Sequence, residues 1–281
     1  MRGVPVLRIG GHFLLMLILG LIVCGAADAL FVRDCAGRTV LGSDITPTRI
    51  AFIGCPEDGQ AGPVVPPKRG PIRARMAPRL ARQLAYYKAA RGDGVLAPKG
   101  WHCRGWYGSS GAYLVVTPKK LRPPYFPPPK LSGTVVFAGT ELGDTSGRFD
   151  VAVTAARLFP KVARKFIASV KAEGLVSDRR FDVKPFPSDA MHYLSDRAVE
   201  FMTPAGHDGL GTTGQWLMAS ALPIRGIVAL VLPPGEPAQI ELMTRLPAGR
   251  SDLTESILDW ESKRIRRDGG CLLRPRCSQR W

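Results

Sequence analysis

Short apolar stretches alternate with Gly- and Pro-containing turns through the second half of the chain. These stretches have the length of β-strands and cover residues 134–138, 148–153, 198–203, 215–221, 227–232 and 238–246. Successive strands joined by short turns must be antiparallel, because parallel neighbours need a long crossover. The pattern predicts an α+β fold in which helices pack on one face of an antiparallel β-meander.

Two segments of the same half have apolar residues at helical spacing. Residues 161–173 place Val162, Phe166 and Val170 on one stripe and are followed by Gly174, a residue that commonly ends helices. Residues 253–267 repeat the pattern and stop at Gly269-Gly270. We expect one helix over each segment.

The first half of the chain predicts a smaller, Pro-rich region. Residues 29–32 and 49–53 have strand character and are expected to pair as a hairpin. A short helix is expected to begin at Pro78, carry Leu80, Leu84 and Tyr87 on one stripe and end before Gly92. Residues 101–107 and 112–117 flank a Gly-Ser-Ser-Gly turn, which predicts a second hairpin.

Six prolines between residues 118 and 129 exclude a central strand or a helix interior there. We place an extended connector at 118–130. The predicted organisation is then a signal peptide (1–29), a basic, disulfide-containing N-terminal region (30–117), the connector, and a C-terminal α+β domain (131–281).

The N-terminus carries positive charge at Arg2 and Arg8, then an apolar stretch over 13–24, then small residues ending at Ala29. This order is typical of a secretory signal peptide. The stretch is shorter than the roughly 20 apolar residues that a membrane-spanning helix needs. We expect cleavage after Ala29 and export to the periplasm. The alternatives are an uncleaved N-terminal anchor and lipidation at Cys24, which the bulky Val23 disfavours.

Cysteine usage follows from export, because exported chains meet an oxidising compartment in which disulfides form. Five cysteines remain after cleavage, and sequence alone does not fix their pairing. We prefer Cys55 with Cys103 and Cys271 with Cys277, which leaves Cys35 over; pairing of Cys35 with Cys55 is the main alternative. Structural zinc is not expected, since the chain has no CxxC and few histidines.

The net charge of +16 is concentrated in two segments. Residues 61–130 contain fourteen Lys and Arg against one acid, Asp93, and residues 263–281 contain seven against Asp268. Such segments favour contact with an anionic lipid surface or another polyanion of the cell envelope. A purely solubilising role is the alternative, and nucleic acid is not an expected partner. The candidate contact residues are Lys68, Arg69, Arg73, Arg75, Arg79, Arg82, Lys88 and Arg91.

Three patterns suggest chemistry, and each has a simpler interpretation. Residues 209–214 match GxGxxG, but Pro223 cuts off the helix that a dinucleotide site requires, so we interpret the glycines as a loop with tight turns or positive φ. No cofactor is expected. Ser109 or Ser110 could combine with His102 or His207, and with Asp208, in a serine-type hydrolase. Of these, His207 and Asp208 are the stronger candidates, although Gly-Ser-Ser-Gly is what a solvent-facing turn prefers.

A carboxylate pair is the third pattern. Glu141 with Asp144, or with Asp150, could perform acid–base chemistry on a glycan, but loop acids near a strand end are usually turn formers. No motif specifies a reaction. The sequence therefore favours an exported envelope protein with a binding role through its basic segment, and a periplasmic serine-type hydrolase is the alternative.

Overall fold

The computed structural model describes residues 45–122, 130–214, 216–232 and 237–268, together with the backbone of 31–33 and 39–41. Two units are distinguished, one up to Thr46 and one from Pro47 onward. In the first unit, β1 (Phe31–Arg33) pairs antiparallel with β2 (Thr39–Leu41). The expected hairpin between 29–32 and 49–53 is wrong, because residues 49–53 belong to a strand that is hydrogen-bonded on both sides by other strands.

The second unit contains the remaining elements. Its strands are β3 (Thr46–Gly54), β4 (Glu57–Gly59), β5 (Ile72–Met76), β6 (Leu84–Lys88), β7 (Val95–Pro98), β8 (His102–Tyr107), β9 (Gly111–Thr117), β10 (Val135–Leu142), β11 (Ala190–Ser195), β12 (Ala198–Thr203), β13 (Ile224–Val231) and β14 (Ala238–Arg245). Its α-helices are α1 (Pro78–Ala81), α2 (Arg148–Leu158), α3 (Arg164–Ala172) and α4 (Ser251–Asp268).

A four-stranded sheet has the order β5-β3-β6-β7. The helix expected from Pro78 to Gly92 is wrong beyond its first turn, because α1 ends at Ala81 and the chain continues as β6. Strand β6 is an inner strand, parallel to β3 and antiparallel to β7, and such strands are apolar on both faces. Leu84, Ala85 and Tyr87 are accordingly buried.

An eight-stranded sheet has the order β11-β12-β13-β14-β10-β9-β8-β4. Its pairings are antiparallel from β11 to β8, as predicted for the strands of the second half and for β8 with β9. The pairing of β10 with β9 was not predicted, and β4 joins the edge in parallel to β8. The hairpin of β8 and β9 is confirmed, with Tyr107 opposite Ala112. Strands from both sides of the Pro-rich stretch belong to this sheet, and residues 123–129 of that stretch lie outside the described residues.

Helices cover both faces of the large sheet, so the expectation of helices on one face is only partly correct. α2 and α3 pack on one face through residues such as Val151 and Phe166. α4 shares the opposite face with the four-stranded sheet, because Leu253 and Ile257 pack with Ile227 and Leu242. The domain is therefore a mixed α+β fold with the large sheet between two apolar layers.

Most of the predicted strands and helices of the second half are confirmed, with two errors. Residues 148–153 form the start of α2, because Val151, Ala152, Ala155 and Leu158 are the buried positions and follow helical spacing. Residues 216–221 contain a single bridge, from Leu217 to Leu131, in place of a strand. α3 ends as expected, with Gly174 at φ +66°.

A disulfide joins Cys55 to Cys103, which confirms the preferred pairing. Cys55 follows β3 of the small sheet and Cys103 lies in β8 of the large sheet, so the bond connects the two sheets. Cys35, Cys271 and Cys277 lie outside the described residues, as do residues 1–29. Among the helices that the structure describes, none has both the length and the apolar character needed to span a bilayer.

Candidate functional site

A groove of about 730 Å³ lies between strand β5 and the C-terminal half of α4. β5 is the edge strand of the small sheet, and its alternation buries Ala74 while Arg73 and Arg75 stay exposed. On α4, Lys263 and Arg266 are three positions apart and therefore lie on one face. These four cations line the groove together with Pro47, Ala74, Asp259, Trp260 and Ser262.

The groove has a strong excess of positive charge. Its one acid, Asp259, accepts a hydrogen bond from Lys263 Nζ at 2.7 Å. Arg73, Arg75 and Arg266 form no ion pair with any residue that the structure describes. Guanidinium groups present several N–H donors in a planar fork that matches phosphate and carboxylate oxygens. The arrangement can therefore hold an anionic group.

Both basic segments of the sequence contribute to the groove. Arg73 and Arg75 belong to the segment 61–130, and Lys263 and Arg266 belong to the segment 263–281. The contact residues predicted from the first segment thus include two of the groove cations. Lys263 and Arg266 were not among those named candidates, although the charge of their segment pointed to them.

The other six predicted contact residues do not line the groove. Arg79 pairs with Asp252 at 3.1 Å. Lys88 donates to the carbonyls of Arg91 and Gly92, and burial lowers its pKa. The guanidinium of Arg91 stacks over the ring of Tyr107. Lys68, Arg69 and Arg82 are exposed and do not line the groove.

The structure does not bring the candidate serines and His207 together. Gly111, next to Ser110, lies opposite Glu141 of β10. Glu141 in turn lies opposite Gln239 of β14, and Gln239 lies opposite Leu230 of β13. His207 follows the end of β12, where Thr203 is opposite Ile224. The six residue-to-residue steps from Ile224 to Leu230 span about 20 Å, so the two groups lie at opposite ends of the sheet.

Each of these residues has a local role. Ser109 Oγ lies 2.9 Å from Ser146 Oγ, and Ser110 Oγ lies 3.4 Å from the Tyr113 hydroxyl. His207 and Asp208 are both exposed, and the carboxylate of Asp208 accepts a hydrogen bond from the Thr212 hydroxyl at 3.4 Å.

The glycine-rich loop at 209–214 makes a tight turn, which is one of the two expected alternatives, because Leu210–Thr212 form a single 3-10 turn. None of its glycines has positive φ. A Cβ on Gly209 would lie 2.1 Å from Asp189 Oδ1, and one on Gly211 would lie 2.7 Å from Ile224 Cγ2. These glycines are required for close packing, and Asp189 holds the loop by accepting from Leu210 N–H at 2.7 Å.

A carboxyl pair in which Glu141 is buried and Glu241 is half-buried is the second cluster of chemical interest. Glu141 on β10 lies opposite Gln239 on β14, and Glu241 lies opposite Gly139, so both acids are on one face of the sheet. The Tyr113 hydroxyl donates to Glu141, and the Gln239 amide donates to Glu241 at 3.4 Å. The acid that accompanies Glu141 is thus Glu241, one hundred positions away, and sequence reasoning missed it.

Burial governs the protonation of this pair. It raises the pKa of Glu141 to about 8 and that of Glu241 to about 7, because the low-dielectric interior disfavours the charged form. The negative charge of Asp150 raises both values further, while the Tyr113 and Gln239 hydrogen bonds oppose the shift. Within the described part of the chain, no three His, Cys, Asp or Glu side chains are placed to bind a metal ion.

Comparisons with family models, curated proteins and solved structures found no match to this chain.

Proposed function

We propose that this protein is exported and binds an anionic component of the cell envelope in the groove between β5 and α4. The observation that carries the proposal is the convergence of Arg73, Arg75, Lys263 and Arg266 on one groove. Arg75 of the first segment and Lys263 of the second are 188 positions apart in the chain. A solubilising role would leave basic residues scattered over the surface, whereas here they face a common space.

The expected strength of binding follows from the number of cations. Each Lys or Arg close to an anionic surface contributes about 1 kcal/mol. Four groove cations then contribute about 4 kcal/mol, which corresponds to about a thousandfold in affinity. Because the attraction is electrostatic and exposed to solvent, binding should weaken as salt is added.

Vesicles of phosphatidylglycerol test the proposal in a sedimentation assay at low salt. The variant with Arg73, Arg75, Lys263 and Arg266 changed to Gln should lose about a thousandfold in affinity. A control with the same change in net charge replaces four exposed basic residues outside the groove: Lys161, Arg164, Lys165 and Arg179. Equal losses in the two variants, or no binding by the wild type to vesicles or to long-chain polyphosphate, would contradict a groove-specific site.

Export is a separate part of the proposal and rests on the N-terminal residues. Processing after Ala29 would leave Leu30 as the first residue, which N-terminal sequencing of the native protein measures directly. A native protein that begins at Met1 and has reduced cysteines would contradict export. The Cys55–Cys103 disulfide supports an oxidising compartment.

A further inference from the structure

The groove contains an aromatic side chain among its cations. Trp260 lies on α4 between Asp259 and Lys263, and its half-buried ring lines the groove together with Pro47. The ring is held by an edge contact with Tyr86, with the ring centroids 5.6 Å apart. One part of the indole therefore packs on the core, and another part is available to a ligand.

Indole beside guanidinium groups suits a ligand that is both anionic and apolar. Tryptophan is favoured where one side of a ring meets hydrocarbon and the other meets polar groups. Arginine is favoured where phosphate oxygens must be held in a fixed geometry. A free inorganic anion would use only the second property, and a phospholipid headgroup with the first carbons of its acyl chains would use both.

The segment that follows α4 in the chain does not supply a suitable occupant. Residues 269–281, which continue the chain after α4, contain three arginines and no acid, so they carry the same charge as the groove. A second copy of the chain would also bring a net charge of +16. Charge complementarity therefore points to an external anion.

We propose that the groove seats the headgroup of a single anionic phospholipid. The phosphate oxygens accept hydrogen bonds from the groove cations, and the glycerol and upper acyl carbons pack on Trp260 and Pro47. The volume of the groove lies within the range of small-molecule sites. This inference rests on the proposed function and narrows it to one ligand class.

Fluorescence quenching by lipids with brominated acyl chains tests the contact with Trp260. Bromine quenches tryptophan only at short range, so phosphatidylglycerol vesicles with brominated chains should quench the wild type more than unbrominated vesicles do. The variant Trp260→Phe keeps an aromatic ring against Tyr86 and should lose this difference. Trp101→Phe, which replaces a half-buried tryptophan outside the groove, should retain it.

The outcomes separate this inference from the proposed function. Equal quenching of wild type and Trp260→Phe, with vesicle binding intact, would overturn the lipid-seating inference and leave anion binding in place. Binding to long-chain polyphosphate but not to phosphatidylglycerol vesicles would do the same. Failure to bind either polyanion would overturn both.

Discussion

Replacement of Glu141 by Gln should change how the stability of the protein depends on pH. Glu141 is 9% exposed, and burial raises its pKa to about 8, against an ordinary value of 4.5. Below the ordinary value the carboxyl is protonated in both the folded and the unfolded chain. Between pH 4.5 and about pH 8 the Glu141 carboxyl ionises in the unfolded chain but not in the folded one. The free energy of unfolding therefore falls as the pH rises through this range.

The size of the effect follows from the shift. One pKa unit corresponds to about 1.4 kcal/mol, so the loss is about 3 kcal/mol at pH 7 and about 5 kcal/mol above pH 8. Glutamine has nearly the same shape, stays neutral and keeps an oxygen that can accept from the Tyr113 hydroxyl. Glu141→Gln should therefore remove this part of the pH dependence and leave the fold intact.

Urea unfolding followed by circular dichroism at pH 5, 7 and 8.5 measures the difference. The two proteins should have similar unfolding free energies at pH 5, and the variant should be more stable by several kcal/mol at pH 8.5. Asp144→Asn, at an exposed position in the following loop, is the matched control and should behave as wild type. Parallel curves for wild type and Glu141→Gln across the whole range would refute the reasoning.

Two further changes test the packing of the domain. Reduction of Cys55–Cys103, or replacement of both cysteines by Ser, opens a loop with a sequence separation of 48 and should cost about 4 kcal/mol by the chain-entropy relation; a melting temperature unaffected by reductant would contradict this. Arg245 is fully buried and donates to the carbonyls of Leu131, Gly133 and Met218, so Arg245→Met should cost at least about 3 kcal/mol in urea unfolding, whereas Arg250→Met, at an exposed site, should cost little.

Local patterns predicted the elements whose burial follows one regular period. α4 was recognisable because Leu253 and Ile257 repeat at helical spacing on a single stripe. The alternation of Phe149, Val151 and Val153 favours a strand where α2 forms. The buried helical stripe includes Ala152 and Ala155, which are weak hydrophobic signals. The small buried residues therefore define a helix that the spacing of the large apolar residues does not predict.

The contacts between distant segments were not predictable in the same way. The spacing of Leu80, Leu84 and Tyr87 fits a helix. In the structure β6 pairs with a strand on each side, and this pairing outweighs the local preference. Glu241 and Glu141 are neighbours on one face of the sheet only because β14 pairs with β10. A signal was present, since Glu241 is an acid within a largely buried strand, but its partner could not be read from the sequence.

The bond between Cys55 and Cys103 encloses three of the four strands of the small sheet, β5, β6 and β7, within a covalent loop. The exposed Lys68 and Arg69 lie inside that loop and are ready targets for a trypsin-like protease. A single cut there would leave the two fragments joined through sulfur. The nicked chain would migrate as one piece on a gel until reductant separates it, so a protease encounter would not release the N-terminal fragment, whose strand β3 pairs with the strand that carries Arg73 and Arg75.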